Sequence, residues 1–162
     1  MSPRLADPYR DTDVIDSNAP RFNQATIGTL ALVAALLGWG WLAGLLGLQL
    51  VVGLVFGRRF CLPCLAYFEL VQPRFGEGPL EDSRPPRAAN IVGAVVLSAS
   101  ALAYALGSAV VGTGLSLLVA LLALLAAATG FCTGCEAYKL LCRVTGRPFV
   151  SCPIPEAQIR YR

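Results

Sequence analysis

The chain has 162 residues, of which 56% are hydrophobic and only 14% charged, with a formal net charge of +3. A soluble domain averages about 25% charged residues, so the composition is that of a single membrane-embedded domain, and the small positive charge carries no signature of nucleic-acid binding. Histidine is absent, which excludes the common haem ligand, the common general base and any Cys/His nucleophile pair.

Residues 1–24 contain Asp7, Asp11, Asp13 and Asp16 and no apolar core of the kind a secretory signal needs. This segment is therefore expected to stay in the cytoplasm. Two uncharged blocks follow, Phe22 to Gly57 and Ala88 to Cys135. Roughly 20 residues cross the hydrocarbon layer as a helix, so each block is too long for one crossing and suits two. The first breaks at Gly38-Trp39-Gly40-Trp41, where tryptophan fits a membrane interface, and the second at Gly107 to Gly114. The expected helices are 20–38, 42–60, 87–107 and 112–131. Pro20 suits a first helical turn, and the second helix is expected to run on past Arg58 and Arg59. Runs of small residues, Ser98 to Ala101 and Ala126 to Ala128, fit close helix contact in lipid.

All 13 Lys and Arg residues lie in segments 1–24, 58–87 and 139–162, and none lies in a hairpin tip. Excess Lys and Arg marks the cytoplasmic side. The expected topology is multi-pass in the bacterial inner membrane, with both termini and both cysteine motifs in the cytoplasm.

The two halves resemble one another. Pro20-Arg21-Phe22-Asn23 opens the first and Pro86-Arg87-Ala88-Ala89-Asn90 the second. Phe60-Cys61-Leu62-Pro63-Cys64-Leu65-Ala66-Tyr67 closes the first, and Phe131-Cys132-Thr133-Gly134-Cys135-Glu136-Ala137-Tyr138 the second. The shared pattern is F-C-x-x-C-x-A-Y, 71 residues apart. Each unit makes an even number of crossings, so the repeats are parallel, about an axis along the membrane normal. The resulting expectation is an all-α membrane protein of four transmembrane helices, arranged as two parallel-repeat hairpins. Each hairpin is followed by a short amphipathic cytoplasmic helix carrying Cys-x-x-Cys. Repeat 1 spans about 20–72 and repeat 2 about 86–144, with a linker at 73–85, an N-terminal segment at 1–19 and a proline-containing tail at 146–162.

Three chemistries compete for Cys61, Cys64, Cys132 and Cys135. The preferred one is dithiol–disulfide exchange, with Arg58 and Arg59 adding positive charge near the first pair and Glu136 either raising the thiol pKa or helping to move a proton at the second. The alternative is a four-cysteine zinc site, or less readily an iron–sulfur centre, that staples a scaffold or small subunit of a larger membrane complex. The third is inert packing of small, buried residues. The preferred reading needs no cofactor. Cys142 is expected to pack or to resolve a neighbouring thiol, and Cys152 to be a free thiol. Tyr67 and Tyr138 fit the headgroup level, and Arg21 and Arg87 are expected to snorkel to phosphates or to face an anion. No charge falls at mid-membrane, which argues against ion pumping. A quinone or small-molecule site between the repeats is a further alternative.

The sequence resembles the bacterial membrane family known as domain of unknown function 4395. The resemblance is carried by Ile15-Asp16, Ala19-Pro20-Arg21-Phe22, Pro85-Pro86-Arg87 and Gly130-Phe131-Cys132-Thr133-Gly134-Cys135-Glu136-Ala137-Tyr138. It covers about 14–145 and implies soluble thioredoxin-like or rhodanese-like (sulfurtransferase) proteins as partners, beside the lipid bilayer. It also implies that Cys132 and Cys135 are the working pair.

Overall fold

The computed structural model describes residues 7–130, together with 140, 143 and 144. Within them the chain is mostly helical. Four long helices are α1 (Asn18–Leu37), α2 (Gly40–Phe56), α5 (Arg84–Ala105) and α6 (Ala109–Thr129). Between α2 and α5 lie a 3-10 turn (Arg58–Phe60), α3 (Leu62–Ala66), a π-helical turn (Tyr67–Val71) and α4 (Gln72–Phe75).

The fold departs from an all-helical chain in one place. A short antiparallel ribbon joins β1 (Val14–Asp16) to β2 (Leu80–Asp82), with Ile15 opposite Glu81. Ser17 N–H donates to the Pro79 carbonyl at 2.9 Å and Ser83 N–H to the Asp13 carbonyl at 3.0 Å, extending the ladder at both ends. The ribbon fastens the segment before α1 to the segment before α5. Its second strand lies within the stretch 73–85 that the sequence reading treats as a linker, and its first within the N-terminal segment 1–19.

The long helices begin two to three residues earlier than the sequence suggests, because Asn18 and Arg84 already belong to the first turns. The second ends earlier than expected. Gly57 takes φ 89°, which L side chains rarely adopt, and breaks α2 at Phe56 before Arg58. That break turns the chain so that Cys61 packs back on α2. A Cβ built at Gly53 would fall 3.1 Å from the Cys61 Cβ. At the other end, Gly38 at φ 65° closes α1 by donating to the Ala34 and Ala35 carbonyls.

Packing is set by small residues. α1 lies chiefly on α6 and α2 chiefly on α5, while α5 and α6 form a closely packed hairpin. Gly28 meets Leu124 and Ala123, Gly47 meets Ser98, and Gly40 and Gly112 both abut Tyr104. The core between them holds Ile27, Ala31, Leu46, Leu50, Leu97 and Ala120. Inside the α5–α6 hairpin, Ser100 donates to the Gly112 carbonyl at 2.7 Å and lies 2.8 Å from the Ser116 hydroxyl, both serines fully buried.

α5 and α6 are each long and apolar enough to cross a membrane; α2 is apolar but has 17 residues. α1 has 20 residues and opens with polar side chains that include Asn23. The outward faces of α2, α5 and α6 are hydrocarbon, with Leu48, Val55, Val95, Leu102 and Leu121 all more than half exposed.

Candidate functional site: a buried cysteine pair beneath an N-terminal strap

The start of α1, the end of α2, the start of α5 and the ribbon meet at one end of the bundle. There Cys61 and Cys64 form a disulfide, with Cα atoms 5.2 Å apart. Cys61 precedes α3 and Cys64 lies within it, so one helical turn carries both sulfurs on the same side. Both residues are buried, 6% and 8% exposed. They pack with Ala19, Tyr67 and Phe68, against Phe22 and Ile15.

Each neighbour has a defined role. Asn23, 3% exposed on α1, places its Oδ1 3.9 Å from Cys61 Sγ and donates through Nδ2 to Asn90 Oδ1 at 3.2 Å. The first distance is within reach of an S–H···O hydrogen bond, which exists only when the pair is reduced. Arg87 on α5 donates to the Leu54 carbonyl in the last turn of α2 at 3.4 Å, where a cation complements the helix dipole. Arg21 stands in the corresponding place on α6: a Cβ built at Gly130 would fall 2.5 Å from its Nη2. The sequence reading gave these two arginines to lipid phosphates or to an anion; in the structure each stands over a helix C-terminus.

The strap formed by residues 7–16 covers the pair. Arg58 donates to the carbonyls of Pro8, Asp11 and Thr12 at 3.0, 3.3 and 2.8 Å. Burial lowers the Arg58 pKa from its ordinary value, and Asp13 and Asp11 oppose that shift. Tyr9 donates to Glu69 at 2.8 Å, packs edge-on against Phe68 and lies under the Arg59 guanidinium. Asp16, 2% exposed, gathers four donors: Tyr67 OH at 2.7 Å, Gln72 Nε2 at 3.1 Å, Gly78 N–H at 3.2 Å and Asn18 N–H at 2.9 Å. Burial pushes the Tyr67 hydroxyl above its ordinary range, and the Asp16 carboxylate pushes it further. Tyr67 is therefore a buried hydrogen-bond donor at 3% exposure, with its hydroxyl on Asp16. Glu81, beside β1, is also raised by burial, with Arg21 acting against that rise and Asp16 adding to it.

A cleft of about 150 Å³ reaches the cysteines from the α2–α5 side, lined by Gly53, Arg58, Cys61, Cys64, Arg87 and Asn90. Among the described residues, no group of three or more Cys, Asp or Glu is arranged to hold a metal ion. Cys61 and Cys64 are bonded to each other, so they do not present two free thiolates to zinc in this state. Cys132, Cys135, Glu136, Tyr138, Cys142 and Cys152 lie outside the described residues, and with them the second motif and any four-cysteine site.

The sequence reading singled out Cys61 and Cys64, which the structure brings together. It missed Asn23, Asn90 and the role of Asp16, although all three stand in the segments quoted above. An asparagine at the matched place in each half, two residues after Arg21 and three after Arg87, was the available signal, because an amide carried into a helix bundle needs a partner.

The bundle and its covered Cys-x-x-Cys disulfide define a class, a helical hairpin pair with a bonded cysteine pair at one end. The chain belongs to the family described as Domain of unknown function (DUF4395), whose model matches residues 15–143. Comparisons with curated proteins and with solved structures found no match.

Proposed function

We propose that the protein is a membrane-embedded thiol-redox protein in which Cys61 and Cys64 cycle between dithiol and disulfide. The observation that carries this reading is the disulfide itself, formed across one helical turn and contacted by a buried amide. Disulfides inside the cytoplasm of mesophiles are as a rule transient and catalytic or redox-sensing. In the cycle, one thiolate attacks a partner disulfide or persulfide, and its neighbour resolves the mixed species by forming the Cys61–Cys64 bond. A thioredoxin-like or sulfurtransferase protein would supply or accept the thiol equivalents. Because the pair is buried, such a partner must first displace the strap held by Arg58 and Tyr9.

Four spans in the inner membrane complete the reading. Its support is the hydrocarbon outer surface of the helices and the clustering of Arg21, Arg58, Arg59 and Arg87 at one end of the bundle. The packing of α1 on α6 and of α2 on α5 is the pattern a twofold exchange of hairpins would produce, which supports a parallel repeat. On that basis Cys132 and Cys135 form the equivalent dithiol, with Glu136 beside it.

The test is an equilibrium titration of a variant retaining only Cys61 and Cys64, purified in mild detergent and poised in mixtures of reduced and oxidised dithiothreitol. Two thiols appearing and disappearing together at a single reproducible midpoint would support the cycle. Thiols that stay fully reduced or fully oxidised throughout the accessible range would refute it.

A further inference from the structure

The cleft of about 150 Å³ on the α2–α5 side reaches the cysteine pair with the strap in place, and both Cys61 and Cys64 line it. That volume is close to the roughly 150 Å³ cavity known to take one benzene ring, so the cleft admits a small molecule and no folded partner. Its charge is one-sided. Arg58 and Arg87 line it, and no carboxylate does among the described residues. The ion pairs among the described residues are Arg10 with Asp7 and Arg84 with Asp82, so neither cleft arginine meets a carboxylate at contact distance. Arg58 gives its Nη groups to three strap carbonyls and interacts with Asp11 and Asp13 from farther off. Arg87 is exposed and donates to the Leu54 carbonyl at 3.4 Å. The amides of Gln49 and Asn90 add polar groups to the wall.

A cleft lined by one sign of charge draws ligands of the other. An anion that enters this one meets a disulfide, and the group that opens a disulfide by exchange is a thiolate. We infer that the cleft takes a low-molecular-weight thiol bearing a carboxylate or sulfonate, and that this thiol is the direct reductant of the Cys61–Cys64 disulfide. The inference rests on the thiol-redox reading above and names a small-molecule substrate for the same site. In the first step the thiolate attacks Cys64 Sγ. A mixed disulfide forms, the Cys61–Cys64 bond breaks, and its electron pair leaves on Cys61. Cys61 takes a proton from water, and as a thiol it has an acceptor in Asn23 Oδ1, 3.9 Å away. A second molecule of the thiol then attacks the substrate sulfur of the mixed disulfide. That step releases Cys64 as a thiolate, which is protonated in turn, and the two small thiols depart as one disulfide. Two electrons have passed to the protein. Arg87 binds the carboxylate or sulfonate and takes no part in the exchange itself.

The experiment uses the full-length chain retaining only Cys61 and Cys64, oxidised, in uncharged detergent. The probes are 2-mercaptoethanesulfonate and 2-mercaptoethanol, thiols of one carbon length and different charge, with free protein thiols followed in time. Each rate is divided by that of the same probe with 2-hydroxyethyl disulfide, which removes differences in intrinsic reactivity. The expected result is a rate that saturates with the sulfonate thiol. Below saturation its corrected preference is roughly tenfold, about 1.4 kcal/mol, within reach of one guanidinium–anion contact. Arg87→Gln removes most of that preference and Arg87→Lys keeps most of it. Arg84→Gln, off the cleft, leaves it unchanged. Replacing phosphatidylcholine by phosphatidylglycerol in the detergent also leaves it in place. A preference that is absent, that survives Arg87→Gln or that falls equally in Arg84→Gln overturns the site. So does one that phosphatidylglycerol abolishes, which would give the arginines to lipid phosphate. In each of those cases the dithiol cycle stands if dithiothreitol still equilibrates the pair. If dithiothreitol does not equilibrate it either, both readings fail.

Discussion

Asn23 and Asn90, each near the start of a long helix in its own half of the chain, hydrogen-bond to each other at 3.2 Å. Asn23 also contacts the Cys61 sulfur. The contact between the two halves is thereby joined to the disulfide through one side chain. Asn23→Leu removes a bond that Cys61 can donate only as a thiol, so it should destabilise the reduced form. A loss of about 0.5–1 kcal/mol corresponds to a fall of roughly 10–20 mV in the midpoint of the pair. An unchanged or higher midpoint in the dithiothreitol titration would show that the contact does not favour the dithiol.

Asp16 holds β1, the π-helical turn and the loop before β2 together through four accepted hydrogen bonds. Asp16→Ala leaves Tyr67 and Gln72 with buried donors and no acceptor, a loss of about 3 kcal/mol or more. The expected readout is a lower thermal midpoint in detergent, together with alkylation of Cys61 and Cys64 in the reduced protein at a rate close to that of exposed thiols. Retention of slow alkylation would mean that the strap closes without Asp16.

Tyr67 gives the fold an alkaline limit. Its folded pKa lies above the ordinary value of 10.0. Below that value both folded and unfolded chains keep the proton, and the full contribution to stability is present. As pH rises past it, the unfolded chain ionises first and the contribution is progressively lost. Stability should therefore decline above about pH 10, and Tyr67→Phe should flatten part of that decline. Unfolding curves recorded from neutral to alkaline pH provide the check, and identical slopes in the two proteins would count against it.

The ring of Tyr104 fills the space that Gly40 and Gly112 leave, and its hydroxyl lies 2.8 Å from that of Thr113. Gly112→Val should lower the thermal midpoint markedly, because its Cβ would fall 2.6 Å from Tyr104 Cδ2. Tyr104→Ala in the same chain should recover part of the loss by making room. Additive losses in the double variant would place the cost elsewhere.

The helical hairpins were legible in the sequence because they depend on length and composition, and the paired cysteines because of their spacing. The end of α2 was not. A helix can carry Arg58 and Arg59 beyond a membrane face, so composition sets no stop there, and only the positive φ of Gly57 turns the chain before Arg58. The ribbon was also hidden. Val14–Asp16 and Leu80–Asp82 are three residues each, too short for an alternating pattern, and they pair across more than 60 residues of chain. Arg58 reads from sequence as positive charge beside the first cysteine pair, and its three backbone acceptors come from a segment some 50 residues earlier. The chemistry around Cys61 depends on such long-range contacts. The motif therefore identified the sulfurs and not the amides and carboxylate that surround them.

The central claim is that Cys61 and Cys64 change redox state in the living cell. Acid quenching of cells, followed by differential alkylation and peptide mapping of these two cysteines, measures that state directly. The account predicts both dithiol and disulfide in growing cells, with the disulfide fraction rising under a mild oxidant and falling again after its removal. A pair found entirely in one form under every condition would contradict it.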